Sequence, residues 1–394
     1  MREMKDSGIE WIGQIPKDWD VVPHKRVMHK VKKICEQYSG EDIISLTMNG
    51  VIKRDLTAGG KMPTSFNGYQ YVKPNDLLLC LFDIDVTPRC VGVVKDYGVT
   101  SPAYSRFVMH DGYYNAYYDY LLRAIDDDKV FVHLSKNLRS SLTESDFGAI
   151  KTCVPSLAEQ KRIVTFLDAQ CAEIDTVLEK TRASIEEYKK LKQAVITQAV
   201  TKGIRGDRPM KNSGIEWIGD IPAEWDYTKA KNCVNIQNGS DPKAEGSIPV
   251  YGSGASSFKT CGEYKEGPSV LIGRKGATLH IPHYISTKFW NVDTAFNVYA
   301  KPNFDLKFYF YCACSFDYRF YISQTTLPSM TQTAYENMFL PLPSNDEQRA
   351  IASYLDNRCE EIDALIWKKQ ECLVEIENYK KSLIYEYVTG KREV

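Results

Sequence analysis

The residues of this chain whose types and spacing suggest chemistry fall into a few short clusters. Carboxylates come close together at Asp83 and Asp85 and at Asp126–Asp128. Such pairs can hold a divalent metal or divide acid and base roles, but these lack a basic nuclease partner in the neighbouring sequence and read as strand-edge and turn residues. His280 and His283 in "LHIPH", like Cys312 and Cys314, are too few for a metal site, and none of the 11 Cys forms a C-x-x-C pair. "GSGASS" (Gly252–Ser257) lacks the third glycine of a dinucleotide loop and reads as flexible. A phosphate loop, an H-E-x-x-H pair, a G-x-S-x-G elbow and an Asn-Pro-Pro-aromatic stretch of the kind used by amino-methyltransferases are all missing. Basic residues cluster instead. "HKRVMHKVKK" (His24–Lys33) holds five Lys or Arg, and "YKKLK" (Tyr188–Lys192) is followed by "TKGIRGDRPMK" (Thr201–Lys211). A net charge of −1 excludes a uniformly basic polyanion binder but leaves local basic patches open. Each cluster alone also fits a solvated helix face or linker. The chemistry is that of a recognition module; a protein-binding scaffold and an enzyme of unfamiliar class are the competing readings.

The elements that would position these residues follow from length and patterning. At 394 residues, 43% hydrophobic and 26% charged, the chain is expected to form two or three globular domains. No apolar run reaches the ~18–20 residues that span a bilayer. The start "MREMKDSGIEW" lacks an apolar signal core, and the odd Cys count suits reduced thiols. The expectation is a soluble, cytoplasmic protein with no membrane partner and no metal of its own.

The strongest signal is internal repetition. "KDSGIEWIGQIPKDWD" (Lys5–Asp20) returns as "KNSGIEWIGDIPAEWD" (Lys211–Asp226), identical at 12 of 16 positions and offset by 206. "PSLAEQKRIVTFLDAQCAEID" (Pro155–Asp175) returns as "PSNDEQRAIASYLDNRCEEID" (Pro343–Asp363), offset by 188. The chain is a duplicated module: a variable unit, then a helix, twice. Ser156 and Ser344 are expected N-caps, with Glu159 and Glu347 at capping-box spacing. Residues then step by four and three along Leu167, Cys171, Ile174, Leu178, Thr181 and Ile185, and along Leu355, Cys359, Ile362, Ile366, Lys369 and Leu373, apolar except at the matching Thr181 and Lys369. That is a heptad seam. Lys192 and Lys380 interrupt it at matching places, where Leu191 and Tyr379 are candidates to take over. Helices of about 45 residues, roughly 65 Å long, are expected to pack antiparallel on each other. Within the variable units, "NDLLLCLFDID" (Asn75–Asp85) matches "PSVLIGRKGAT" (Pro268–Thr278), and "RSSLTESDF" (Arg139–Phe147) matches "LPSMTQTAY" (Leu327–Tyr335). Trp11 and Trp217, with Ile9, Ile12, Ile215 and Ile218, are expected to form an apolar plug between each variable unit and the helix ends.

The doubled W-I-G-x-I-P-x-x-W phrase, the P-S-x-x-E-Q-x-x-I-x-x-x-L-D…E-I-D helix starts, the "SPAY" segment and the V-T-x-G helix end resemble the specificity subunit of type I restriction–modification systems. The resemblance covers nearly the whole chain. It implies an α+β fold with two α/β target-recognition domains separated by two long antiparallel coiled-coil helices, a pseudo-two-fold internal repeat. The expected division is 1–154, first recognition domain; 155–205, first spacer helix; 206–342, second recognition domain; 343–394, second spacer helix. The implied role is non-catalytic phage defence: each domain reads one half of a bipartite double-stranded DNA site. The helices set the spacer and dock two methyltransferase subunits, which restriction subunits join in the full complex. S-adenosylmethionine, ATP and Mg2+ are implied for those partners, and no cofactor for this chain. A methylation-only assembly stays open.

On that resemblance, loops beside the strands supply the base-reading candidates. These are Arg89, Tyr104, Arg106, Arg139, Ser141 and Thr143 in the first unit, and Arg274, Lys275, Ser329, Thr331 and Gln332 in the second. Arg suits guanine and Gln suits adenine in the major groove. Lys25, Arg26, Lys61 and Lys288 are the candidates for phosphate contact, which positions without specifying.

Overall fold

A computed structural model describes residues 2–48, 50–57, 63–87, 89–135, 140–254, 256–318, 321–322 and 328–394. The chain forms two compact units, Met1–Lys180 with Cys372–Val394, and Thr181–Glu371. Each unit therefore combines one variable segment with part of each long helix.

The first unit runs β1 (Met4–Asp6), β2 (Gln14–Pro16), β3 (Asp20–Pro23), β4 (Met28–Lys30), β5 (Ile44–Thr47), β6 (Gly50–Lys53), β7 (Gln70–Val72), β8 (Leu77–Leu79), β9 (Val91–Val93), β10 (Gly98–Thr100), β11 (Ser105–Met109), α1 (Asn115–Asp127), α2 (Val130–Leu134), α3 (Glu144–Ala149) and β12 (Lys151–Val154), then enters α4 (Leu157–Lys202). The second takes up α4 and continues with β13 (Met210–Asn212), β14 (Asp220–Pro222), β15 (Asp226–Lys229), α5 (Ala230–Cys233), β16 (Val234–Asn238), β17 (Ile248–Tyr251), β18 (Lys259–Cys261), β19 (Ser269–Gly273), β20 (His283–Ile285), β21 (Trp290–Asn291), β22 (Ala295–Ala300), α6 (Leu306–Ser315), α7 (Gln332–Asn337), β23 (Phe339–Leu342) and α8 (Asn345–Val388).

The two units share one topology. Each centres on a four-stranded antiparallel sheet, β4-β11-β8-β9 in the first and β16-β22-β19-β20 in the second. β8 and β19 are buried along their whole length, which is why both read as unbroken apolar runs rather than alternating ones. The units differ in what is inserted between the first two sheet strands in sequence. The first unit carries the β5–β6 hairpin there, the second β17 and β18.

The shared motif at the two helix starts consists of residues that tie a sheet unit to its helix. Ser156 and Ser344 accept the backbone N–H of Glu159 and Glu347 at 3.3 Å, as expected of N-caps. The glutamates are not the second half of a capping box. Glu159 accepts the Trp19 indole N–H at 3.0 Å and pairs with Arg2; Glu347 accepts that of Trp225 at 2.8 Å and pairs with Arg208 at 2.7 Å. Gln160 and Gln348 each donate to the preceding proline carbonyl and accept the N–H that opens the next helix packed on them, Tyr114 or Asp305, both at 2.8 Å. Asp168 and Asp356 accept the hydroxyls of Tyr120 and Tyr311, both at 2.8 Å.

The repeated tryptophan phrase folds as the hairpins β1–β2 and β13–β14. Its plug is not Trp11 and Trp217, which are only half-buried. Trp19 and Trp225, each 1% exposed, fill it together with Ile12, Ile15, Ile218 and Ile221. Each indole also meets a helix end within its own unit. Gly390 (φ +70) and Gly203 (φ +75) lie so close that a Cβ would sit 2.9 Å from Trp19 and 3.2 Å from Trp225. Both the left-handed conformation and the space demand glycine at that point.

Within each unit the helices are antiparallel and the heptad seam is occupied as read. Leu167, Leu178, Ile185, Leu355 and Ile362 are buried; Ile174, Ile366 and Leu373 are half-buried. Leu191 and Tyr379 do not replace the lysines but stand exposed. Lys192 and Lys380 keep their seam positions because their ammonium groups reach across to the facing helix. Lys192 pairs with Asp363 and Lys380 with Asp175, each at 2.6 Å.

Candidate nucleic-acid interface

In the second unit the predicted recognition residues converge. The turn after β19 is held by the carbonyl of Thr294, which accepts the N–H of Arg274 at 2.8 Å and of Lys275 at 3.2 Å. Its other side is stitched to the segment before α7. Met330 N–H donates to Arg274 O at 2.9 Å, Gly276 N–H to Pro328 O at 3.0 Å, and Lys275 bridges Ser329. Together they line an open hollow of about 260 Å³ that holds Arg274, Lys275, Ser329, Thr331 and Gln332, with Asn238 and Phe296. Donors fixed by backbone on a rigid sheet end are what base-edge recognition requires.

Their availability differs. Arg274 reaches only a carbonyl, Asp293 O at 3.4 Å, and its guanidinium lies 5.9 Å from the Phe296 ring. Lys275 stands 4.0 Å from the Asp293 carboxylate. Thr331 caps α7 through the N–H of Ala334, so its hydroxyl oxygen is partly committed to the fold. The Gln332 amide is engaged at both ends: it donates to Ile236 O at 3.1 Å and Glu336 at 2.8 Å, and accepts from Asn238 at 3.3 Å. An adenine would have to displace those bonds. The exposed Asn238 is thus a donor that sequence reasoning missed, carried on the end of β16 with no motif to mark it. Lys265 was missed as well. It is half-buried and donates to Asn291 at 2.7 Å, Asn297 at 2.6 Å and the carbonyl of Asn238 at 3.3 Å, and burial lowers its pKa below the ordinary lysine value.

The first-unit candidates separate. Arg89 sits before β9 with Nε donating to Val91 O at 2.9 Å and Nη1 to Met48 O at 3.1 Å; burial lowers its pKa. Arg106 is corrected: it is 6% exposed, points inward from β11 and pairs with Asp76 at 2.6 Å while donating to Tyr71 O. A guanidinium so enclosed braces the sheet and does not meet a base. Tyr104 packs half-buried on a small core cluster with Leu78 and Val94. Thr143 caps α3 in a full capping box with Asp146, matching Thr331 at offset 188. Ser141 is half-buried just before that cap. Arg139 lies outside the described residues, as does Lys61. Lys25 and Arg26 are exposed on a 3-10 turn. Lys288 pairs with Glu266 at 3.5 Å and stacks 3.9 Å over Tyr264.

Comparison with known proteins accords with this geometry. Residues 222–373 match the family described as type I restriction modification DNA specificity domain. The chain is 22% identical to the putative type I restriction enzyme MjaX specificity subunit of Methanocaldococcus jannaschii, over 97% of this chain and 96% of that one. It is 26% identical to the type I restriction enzyme MjaVIII specificity subunit of the same organism, over 63% of each. Among solved structures, a chain from work on complex assembly and conformational transition of the type I R-M system aligns with TM-score 0.75 at 16% identity, covering 96% of this chain and 99% of that one. The HsdS subunit of Thermoanaerobacter tengcongensis aligns with TM-score 0.53 at 16% identity, covering 96% and 98%. The resemblance read from the sequence recurs in these comparisons: residues 222–373 match the DNA specificity domain, and both relatives are named as specificity subunits of type I restriction enzymes.

Proposed function

We propose that this specificity subunit reads a split, asymmetric double-stranded DNA site, one half with each unit, while α4 and α8 set the unread spacer and dock two methyltransferase subunits. Restriction subunits join that complex, and S-adenosylmethionine, ATP and Mg2+ act on the partner subunits. The observation that carries the reading is the pairing of sameness and difference between units. Sheet order, helix starts and caps recur, whereas the insertions and the β8–β9 and β19–β20 connections do not. A duplicated frame that differs in its insertions and connecting loops suits two unlike half-sites on one dyad-like DNA. Half-sites about one helical turn apart, roughly 34 Å, suit such a frame. No helix among the described residues is long and apolar enough to cross a membrane.

Arg274→Ala tests the reading. Loss of a base-edge contact costs ~1–3 kcal/mol at one position, so methylation by the assembled complex should relax at one base of one half-site. A uniform loss over all sequences would make Arg274 a phosphate contact; an unchanged methylation pattern would remove the second-unit hollow from recognition.

A further inference from the structure

In both units the insertion between the first two sheet strands meets the same connection, β8–β9 or β19–β20, where Phe82, Val86 and Ile281 are exposed, and the inserted hairpin holds up a large apolar side chain of its own. In the first unit Met48 follows β5 directly and is 64% exposed; its carbonyl accepts Arg89 Nη1 at 3.1 Å. In the second, Phe258 precedes β18 and is 60% exposed, with its N–H donating to Val250 O. A Cβ on Gly252 would lie 3.8 Å from the Phe258 ring and 2.9 Å from Thr294 Oγ1, the residue whose carbonyl holds Arg274 and Lys275. Ser253 O accepts Thr278 Oγ1 at 2.9 Å, fastening this insertion to the β19–β20 turn. The "GSGASS" stretch is therefore anchored, through Gly252 and Ser253, against the recognition turn.

A single exposed apolar residue is ordinary on a protein surface. These two are set apart as the most exposed large apolar side chains among the described residues of the β5–β6 and β17–β18 hairpins, in units of unlike sequence. Their surroundings are also alike. Each stands beside a basic side chain: Met48 beside Arg89, which donates to Met48 O and Val91 O, and Phe258 beside Lys259, whose ammonium lies 5.6 Å from the ring. A cationic rim around an exposed, unbranched or aromatic apolar tip is complementary to a polyanion with an apolar interior, which describes stacked duplex DNA. Phe and Met are among the side chains that proteins press between base steps, unstacking them.

We propose that Met48 and Phe258 are wedge residues, each entering the base stack of one half-site while the basic side chain beside it, Arg89 or Lys259, meets the neighbouring nucleotide. This inference rests on the DNA-reading function above. The test uses the full chain assembled with its methyltransferase subunits and the target duplex carrying 2-aminopurine in turn at each position, omitting the adenines that become methylated. The wild-type complex should raise fluorescence at one step in each half-site. Phe258→Ala should abolish the signal in the second half-site only and weaken binding about tenfold to a hundredfold; Phe258→Trp should restore both. Met48→Ala should do the same in the first half-site. Tyr97→Ser, at another exposed aromatic position of the first unit, should change neither. Site-specific binding with no wedge-dependent signal would overturn this inference alone. Loss of methyltransferase subunits from the Phe258→Ala complex would also overturn it, by making Phe258 a protein contact. A complex that binds no DNA would overturn the proposed function with it.

Discussion

Replacing Trp225 by Phe should destabilise the second unit without altering the DNA sequence recognised. The indole ring is 1% exposed, and its N–H donates at 2.8 Å to Glu347, itself buried and also bound to Arg208. Phenylalanine keeps an apolar ring but cannot donate. The lost bond is to a charged acceptor, worth ~1.5–3 kcal/mol, because a buried carboxylate oxygen is left short of a partner. The smaller ring leaves a partial cavity that adds roughly 1 kcal/mol. A net loss of about 3 kcal/mol should lower the melting temperature of a unit this size by roughly 6–12 °C. Differential scanning calorimetry of the purified chain measures it, and hydrogen exchange at the start of α8 places it. Methylation mapping of the same variant should return the parental target. A shift below about 2 °C would refute the view that the tryptophan phrase fastens the unit to its helix; a changed target would refute its separation from recognition.

Further expectations come from other corrected or newly seen contacts. Arg106→Ala strands Asp76 as a buried charge and should cost ~3–5 kcal/mol in chemical denaturation of the first unit; a stable variant with an altered first half-site would restore Arg106 to base reading. His24 is fully buried and stacked on Phe147, and burial holds its pKa down to about 4 from 6.5. The folded state therefore binds fewer protons than the unfolded one as pH falls from about 6.5 to about 4. The first unit should lose about 3 kcal/mol across that window, a loss that His24→Leu should flatten in pH-dependent melting; an equally steep profile in the variant would assign it elsewhere. Lys380→Leu removes a half-exposed ion pair worth ~0.2–1 kcal/mol while completing the apolar seam, so stability should hold or rise; a drop above about 2 kcal/mol would show that the pair with Asp175 fixes the helix register.

Much of the fold was legible because it rests on short-range rules. Serine caps, the four-and-three seam and the matched Thr143 and Thr331 caps depend on residues within a turn or two of one another. What stayed hidden depends on partners far along the chain. Trp11 and Trp19 lie in one phrase, and which is buried is decided by Glu159, 140 positions away. Arg106 looks like a surface donor until β8 brings Asp76 beside it across 30 residues. The seam lysines looked like defects because their acceptors, Asp363 and Asp175, lie on the facing helix. The clustering of the candidate residues was legible in the second unit, where Arg274 and Lys275 sit between glycines. In the first unit it was not, because Arg89 is positioned by an insertion whose packing no local pattern announces.

The central claim is that two differing units on a repeated frame read two differing half-sites. Single-molecule methylome sequencing of a host carrying this chain and its methyltransferase tests it most directly. The account predicts one asymmetric target of two unlike half-sites around an unspecified spacer. A continuous target, a palindrome of identical halves, or no sequence-dependent methylation would contradict it.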